Sequence, residues 1–130
     1  MKNKFLILIM LVTAISFVAV HKVSAQTTAT QLKGMTPPQR ADFQTQLMKT
    51  KLNLDARQIV QVKAINLKYA YKFQPILTSD DGRTSKAMKS RALQQQKDLE
   101  LKGVFTPSQF TQYKGFESDL QKQALAQAGN

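Results

Sequence analysis

The residues whose chemistry could serve a reaction are few. Of 130 residues none is Cys and only His21 is a histidine. Without a thiol there is no disulfide, no Cys-ligated zinc or iron–sulfur site and no thiol nucleophile. His21 lies in a segment expected to be removed, which leaves no imidazole base and no Ser–His–acid triad. Ser85 and Ser90 flank Lys86 and could be drawn as Ser–Lys pairs, but a solvated helix face accounts for them. Asp98/Glu100 and Glu117/Asp119 are i,i+2 pairs, so on a helix their carboxylates face apart and form no dyad. Asp80-Asp81-Gly82 lacks the spaced oxygens of a calcium loop and reads as a turn and cap. No glycine-rich phosphate loop occurs. The inventory assigns no catalytic residue, no metal ligands and no cofactor, so the chain reads as a non-enzyme.

Binding chemistry is better represented. In Lys68-Tyr69-Ala70-Tyr71-Lys72-Phe73, Lys68 and Lys72 are i,i+4 neighbours, as are Tyr69 and Phe73. Interleaved cations and aromatic rings suit a surface that holds an unfolded chain. The competing reading is a buried aromatic stripe flanked by Lys stems that keep their charge in water. The candidate binding set is therefore Lys68, Tyr69, Tyr71, Lys72 and Phe73. Lys86, Lys89, Arg91, Lys97 and Lys102 read as a solvated face able to steer the chain toward anionic membranes or acidic proteins.

These residues need elements to position them, and three copies of one helix-start signal supply the first clue. They are Met35-Thr36-Pro37-Pro38-Gln39, Leu54-Asp55-Ala56-Arg57-Gln58 and Phe105-Thr106-Pro107-Ser108-Gln109. In each, a Thr or Asp oxygen can accept from a free N–H of the first turn, and Gln three residues on can reach back to the cap. Thr36, Gln39, Asp55, Gln58, Thr106 and Gln109 are thus assigned as capping residues. Leu54 can staple to Ile59 and Phe105 to Phe110, whereas Arg40 stands where the first copy would need an apolar residue. A shorter, weaker first helix is expected there.

After Asp55 the apolar positions Ile59, Val62, Ile65, Tyr69, Phe73 and Ile76 recur with helical spacing, beside a second stripe of Val60, Ala64, Leu67 and Tyr71. Pro75 is expected to kink or end this helix near Gln74. A third helix is expected from about Thr84 to Lys102, with Met88, Ala92 and Leu99 as its apolar side and Gly103 as terminator. A fourth begins at Pro107 with the stripe Phe110, Tyr113, Phe116, Leu120 and Ala124. No stretch alternates long enough to argue a strand. The fold class is all-α: a short first helix, two long ones and a fourth. A 22-residue helix from Ala56 to Leu77 would span about 33 Å at 1.5 Å per residue. That is long for so small a chain, so either an elongated monomer or a homodimer of helical hairpins is expected.

The first residues read as an address. Lys2 and Lys4 precede the apolar run Phe5–Val20, which ends in a Val23-Ser24-Ala25 cleavage pattern. The run is 16 residues, against about 20 for a spanning helix. Residues 1–25 are expected to be a signal peptide cleaved after Ala25, 26–34 a leader, 35–126 one helical domain and 127–130 a frayed tail. The net charge of +11 becomes +8 in the mature 105 residues, which keep 16 basic and 8 acidic side chains. Export also argues against nucleic acid as a partner.

A small, exported, basic, helical chain with apolar-Thr-x-x-Gln at its helix starts resembles the Spy/CpxP-like family of periplasmic proteins, whose mark is Leu-Thr-x-x-Gln. The best match is Val104-Phe105-Thr106-Pro107-Ser108-Gln109-Phe110, followed by Leu52-Asn53-Leu54-Asp55-Ala56-Arg57-Gln58. The chain departs from the pattern at Asp55, Phe105 and Met35, which replace Thr, Leu and Leu. The resemblance implies a cradle of helical hairpins paired as a homodimer, in the periplasm. It implies an ATP-independent chaperone for partly unfolded envelope proteins, or an envelope-stress adaptor that docks on a sensor domain. A basic membrane-surface binder is the third class the sequence allows.

Overall fold

A computed structural model describes residues 34–128 of the chain; the expected signal peptide, most of the leader and residues 129–130 lie outside them. The described residues form four helices: α1 (Pro37–Leu52), α2 (Ala56–Thr78), α3 (Arg83–Lys102) and α4 (Pro107–Ala128). No strand occurs among them, so the fold is all-α. α1 is the shortest, as its weaker start implied. α4 is helical through Ala128, into the stretch expected to fray.

All three expected capping boxes form. The Thr36 N–H donates to Gln39 Oε1 at 2.9 Å, the Asp55 N–H to Gln58 Oε1 at 3.1 Å, and the Thr106 N–H to Gln109 Oε1 at 3.0 Å. The return bonds to the cap side chains are also present. α3 starts differently. Its N-cap is Gly82, which has no side-chain cap, and the Asp81 carboxylate instead takes Lys89 Nζ at 2.5 Å. That corrects the expectation that the Asp80-Asp81 turn caps the helix. Asn53 closes α1 at φ 50°, a left-handed position that Asn tolerates better than most residues.

α2 does not end at Pro75 but continues to Thr78. The missing N–H frees only the carbonyl of Tyr71, within the last two turns and next to an exposed side chain, so water can satisfy it. α1 packs along one side of α2, α3 along the other, and α4 crosses to meet α1 and α3. The core is Met48, Leu52, Leu54, Val62, Leu101, Phe105 and Tyr113, gathered where α2 and α4 begin and α1 and α3 end. Tyr113 anchors it, with ring centroids 5.7 Å from Phe105, 6.0 Å from Phe110 and 5.5 Å edge-on from Phe116.

Away from that end the interior turns polar. Arg40, where an apolar staple was missing, is buried. Its guanidinium donates to the Met35 carbonyl at 2.8 Å, fixing the entry to α1, and to Ala70 O and Gln74 on α2. Asn66 is fully buried; its Nδ2 donates to Thr45 Oγ1 at 3.0 Å, while its Oδ1 has no partner among the described residues. An unmet buried acceptor costs about 1–3 kcal/mol. Thr45 keeps its own bond to Ala41 O at 2.7 Å whatever stands at 66. Asn66→Leu, which keeps the branched four-atom shape of the side chain but is bulkier, is therefore expected to be near neutral, the relief of the unmet acceptor offsetting tighter packing. Urea unfolding checks this, and a loss of stability would show that the amide serves the fold.

Candidate functional site

The capping glutamines do more than cap. Gln58 Nε2 donates to Gln109 Oε1 at 2.7 Å, and Gln109 Nε2 donates back to Gln58 Oε1 at 3.2 Å. Each amide also reaches across to the chain just before the other's cap: Gln58 Nε2 to Val104 O at 3.1 Å, and Gln109 Nε2 to Leu52 O at 3.2 Å. The two side chains form a closed, reciprocal clasp between the α1–α2 and α3–α4 turns. A capping box alone works with Glu or Gln. Only Gln has the NH₂ group that this clasp requires. Gln39, in the third box, is exposed and makes no such bond among the described residues.

The structure divides the Lys68–Phe73 set. Tyr69 is 1% exposed, and its hydroxyl donates to Glu100 Oε1 at 2.8 Å. Lys68 pairs with the same carboxylate. Lys68 and Lys72 stand over the Tyr69 ring, 5.2 and 5.1 Å from its centroid. Burial holds the Tyr69 hydroxyl up at about 12, reinforced by Glu100, and the bond from Lys68, then that from Tyr69, holds Glu100 low. This group locks α2 to α3, and Tyr69 is withdrawn from the candidate surface. Two residues along a helix point to opposite sides, so Tyr71 faces outward while Phe73 is half-buried.

A different apolar surface emerges. Val60, Ala64, Leu67 and Tyr71 form a stripe on α2 opposite the buried Val62, Asn66 and Tyr69. On α3 the expected apolar side of Met88, Ala92 and Leu99 is exposed, and Lys97 and Leu101 are buried instead. Leu67 and Leu99 immediately precede the paired Lys68 and Glu100, which sets the two stripes side by side on one outer face. Val60 is 70% exposed, Tyr71 57%, Met88 70% and Leu99 71%. Arg57 follows the same face beside Val60.

A family model described as "Domain of unknown function (DUF4890)" matches residues 25–113. The chain belongs to this family. No curated protein and no solved structure is similar to it. The match takes in all three capping boxes and the clasp. In this DUF4890 chain no helix among the described residues is long and apolar enough to cross a membrane. Nor do His, Asp or Glu side chains gather into a metal-binding group among those residues.

Sequence reasoning placed Lys97 on a solvated face, yet it is 3% exposed and its Nζ donates to Gln44 Oε1 on α1 at 2.8 Å. Burial pushes its ammonium down to about 8, against the pull of Glu117 and Asp98. Nearby, Tyr113 Oη donates to Asp98 Oδ1 at 2.8 Å, and Lys114 Nζ bridges Asp98 and Glu117 at 2.5 and 2.7 Å. Neither the clasp nor this network was legible as such. The only signal for the clasp was that the third residue after each cap is Gln every time.

Proposed function

We propose that this DUF4890 protein is an exported, homodimeric, ATP-independent holding chaperone of the Spy/CpxP type for partly unfolded envelope proteins. The outer face of α2 and α3 is the holding surface. The observation that supports this reading is the exposure of Val60, Tyr71, Met88 and Leu99 together on a small chain. Apolar side chains left in solvent along one face offer a surface for association. Lys72, Arg57 and Lys102 have no carboxylate within salt-bridge distance among the described residues, so they add charge that attracts acidic segments from a distance. Apolar contact then holds the client weakly, and release needs no nucleotide because the contacts are shallow. Tyr71 carries the aromatic contact; Lys68 serves the fold first, through Glu100.

Light scattering tests the proposal. A denatured, unrelated protein is diluted into buffer with and without an equimolar amount of the mature chain. Suppressed scattering is expected. The Tyr71→Ser/Leu99→Ser variant should keep its helicity, because both side chains are exposed, and lose most of the suppression. Unchanged scattering from folded parent protein would shift the reading to an adaptor docked on a sensor domain, and a double variant as active as the parent would move the surface elsewhere.

A further inference from the structure

A groove of about 530 Å³ lies between α2, α3 and α4. It is separate from the outer face, touching it only at Met88. Phe73 supplies its α2 wall, Ala87, Met88, Ser90 and Arg91 its α3 wall, and Glu117 its α4 side. The space has a plain origin. The large core side chains sit at the clasped end, whereas here α3 offers Ala87 and Ser90 opposite a ring that remains half-buried. Its volume falls within the range of small-molecule sites.

The charges in the groove are unequal. Glu117 is tied at 2.7 Å to Lys114, which it shares with Asp98. Lys63, Lys68, Lys89 and Lys114 all have carboxylate partners, but Arg91 has none within 4 Å among the described residues. A mostly apolar trough with one unneutralised guanidinium complements an alkyl chain with an anionic head. Arg presents paired donors suited to a carboxylate, and Ser90 adds a hydroxyl beside it. We infer that this groove binds single-chain anionic amphiphiles, with the head on Arg91 and the chain against Phe73, Ala87 and Met88.

The test is fluorescence titration of the protein with a dansyl-labelled long-chain fatty acid, below its micelle concentration. Saturable one-site binding is expected, displaced better by an unlabelled carboxylate than by the neutral alcohol of equal length. Arg91→Gln should weaken carboxylate binding roughly ten-fold or more and erase the preference over the alcohol. Ala87→Phe, and separately Ser90→Leu, should fill the trough and abolish binding of both with unchanged circular dichroism. The Tyr71→Ser/Leu99→Ser variant should bind like the parent. Absence of saturable binding, an Arg91→Gln variant that still prefers the carboxylate, or loss of binding in the outer-face variant would each overturn the assignment. The holding activity is measured independently, so either conclusion can fail alone.

Discussion

Replacing Gln58 and Gln109 together by Glu is expected to destabilise the fold by about 3–5 kcal/mol at neutral pH. Both capping boxes survive the change, because Glu accepts the cap N–H as Gln does. What disappears is the set of four donor bonds between the two turns. In their place two carboxylates face each other and the carbonyls of Leu52 and Val104. Either single substitution should cost about 1–3 kcal/mol, since one amide still donates to the new carboxylate. The two singles should not add to the double, because the side chains are in direct contact. Acid should restore much of the loss, as protonated carboxyls can donate again. Gln39→Glu is the internal control: an exposed box outside the clasp, where the change should fall within about 0.5 kcal/mol of the parent. Urea unfolding of the four variants at neutral and mildly acidic pH decides it. Equal, small effects at all three positions would reduce the clasp to three independent caps.

The second large effect concerns Lys97. Its ammonium is held at about 8 when folded and returns to about 10.5 when the chain unfolds. Between those values the unfolded state carries a proton that the folded state lacks, so stability rises with pH. The penalty is complete below pH 8 and amounts to about 3 kcal/mol, fading as pH approaches the unfolded value. Tyr69 and Tyr113 act in the opposite sense. Burial raises both, so their contribution is present below about pH 10 and is lost as pH climbs through their folded values. Maximum stability is therefore expected near pH 10. Lys97→Met should remove the climb from pH 8 to 10 and raise stability at pH 7, less the modest value of the bond to Gln44. Thermal unfolding of parent and variant across that range checks it; parallel curves would show that Lys97 is charged at no cost.

The all-α class and the starts of α1, α2 and α4 were legible because capping is local chemistry, written within four residues. Thr36, Asp55 and Thr106 needed no knowledge of the rest of the chain. Tertiary choices were not legible. Met88, Ala92 and Leu99 look like a core stripe by spacing, yet α3 turns the face with Lys97 and Leu101 inward. The hydrophobic contrast around that helix is shallow, and its register follows from Glu100 and Asp98 meeting Tyr69 and Tyr113 on two neighbours. Arg40 read as the absence of a staple, whereas its guanidinium ties the same two ends together through the Met35 carbonyl. Tyr69 and Tyr71 read as one surface because their types match, although their spacing sends them to opposite sides. Pro75 near a helix end cost one bond, too little to stop α2.

The clasp also describes how the chain is organised along its length. Leu54, Asp55, Gln58, Ile59 and Val62 recur 51 residues later as Phe105, Thr106, Gln109, Phe110 and Tyr113. Leu54 and Phe105 are each 7% exposed, and Val62 and Tyr113 are both in the core. The starts of α2 and α4 thus occupy near-equivalent places about the Gln58–Gln109 contact. The equivalence stops at those starts: α1 packs closely along α2, whereas α3 packs on α2 and only touches α4. The turn from Ser79 to Gly82, at the opposite end of α2 from that contact, leads from the first copy of the pattern toward the second. What the chain repeats is therefore a helix start and its share of the amide handshake, while the helices that follow each start pack differently.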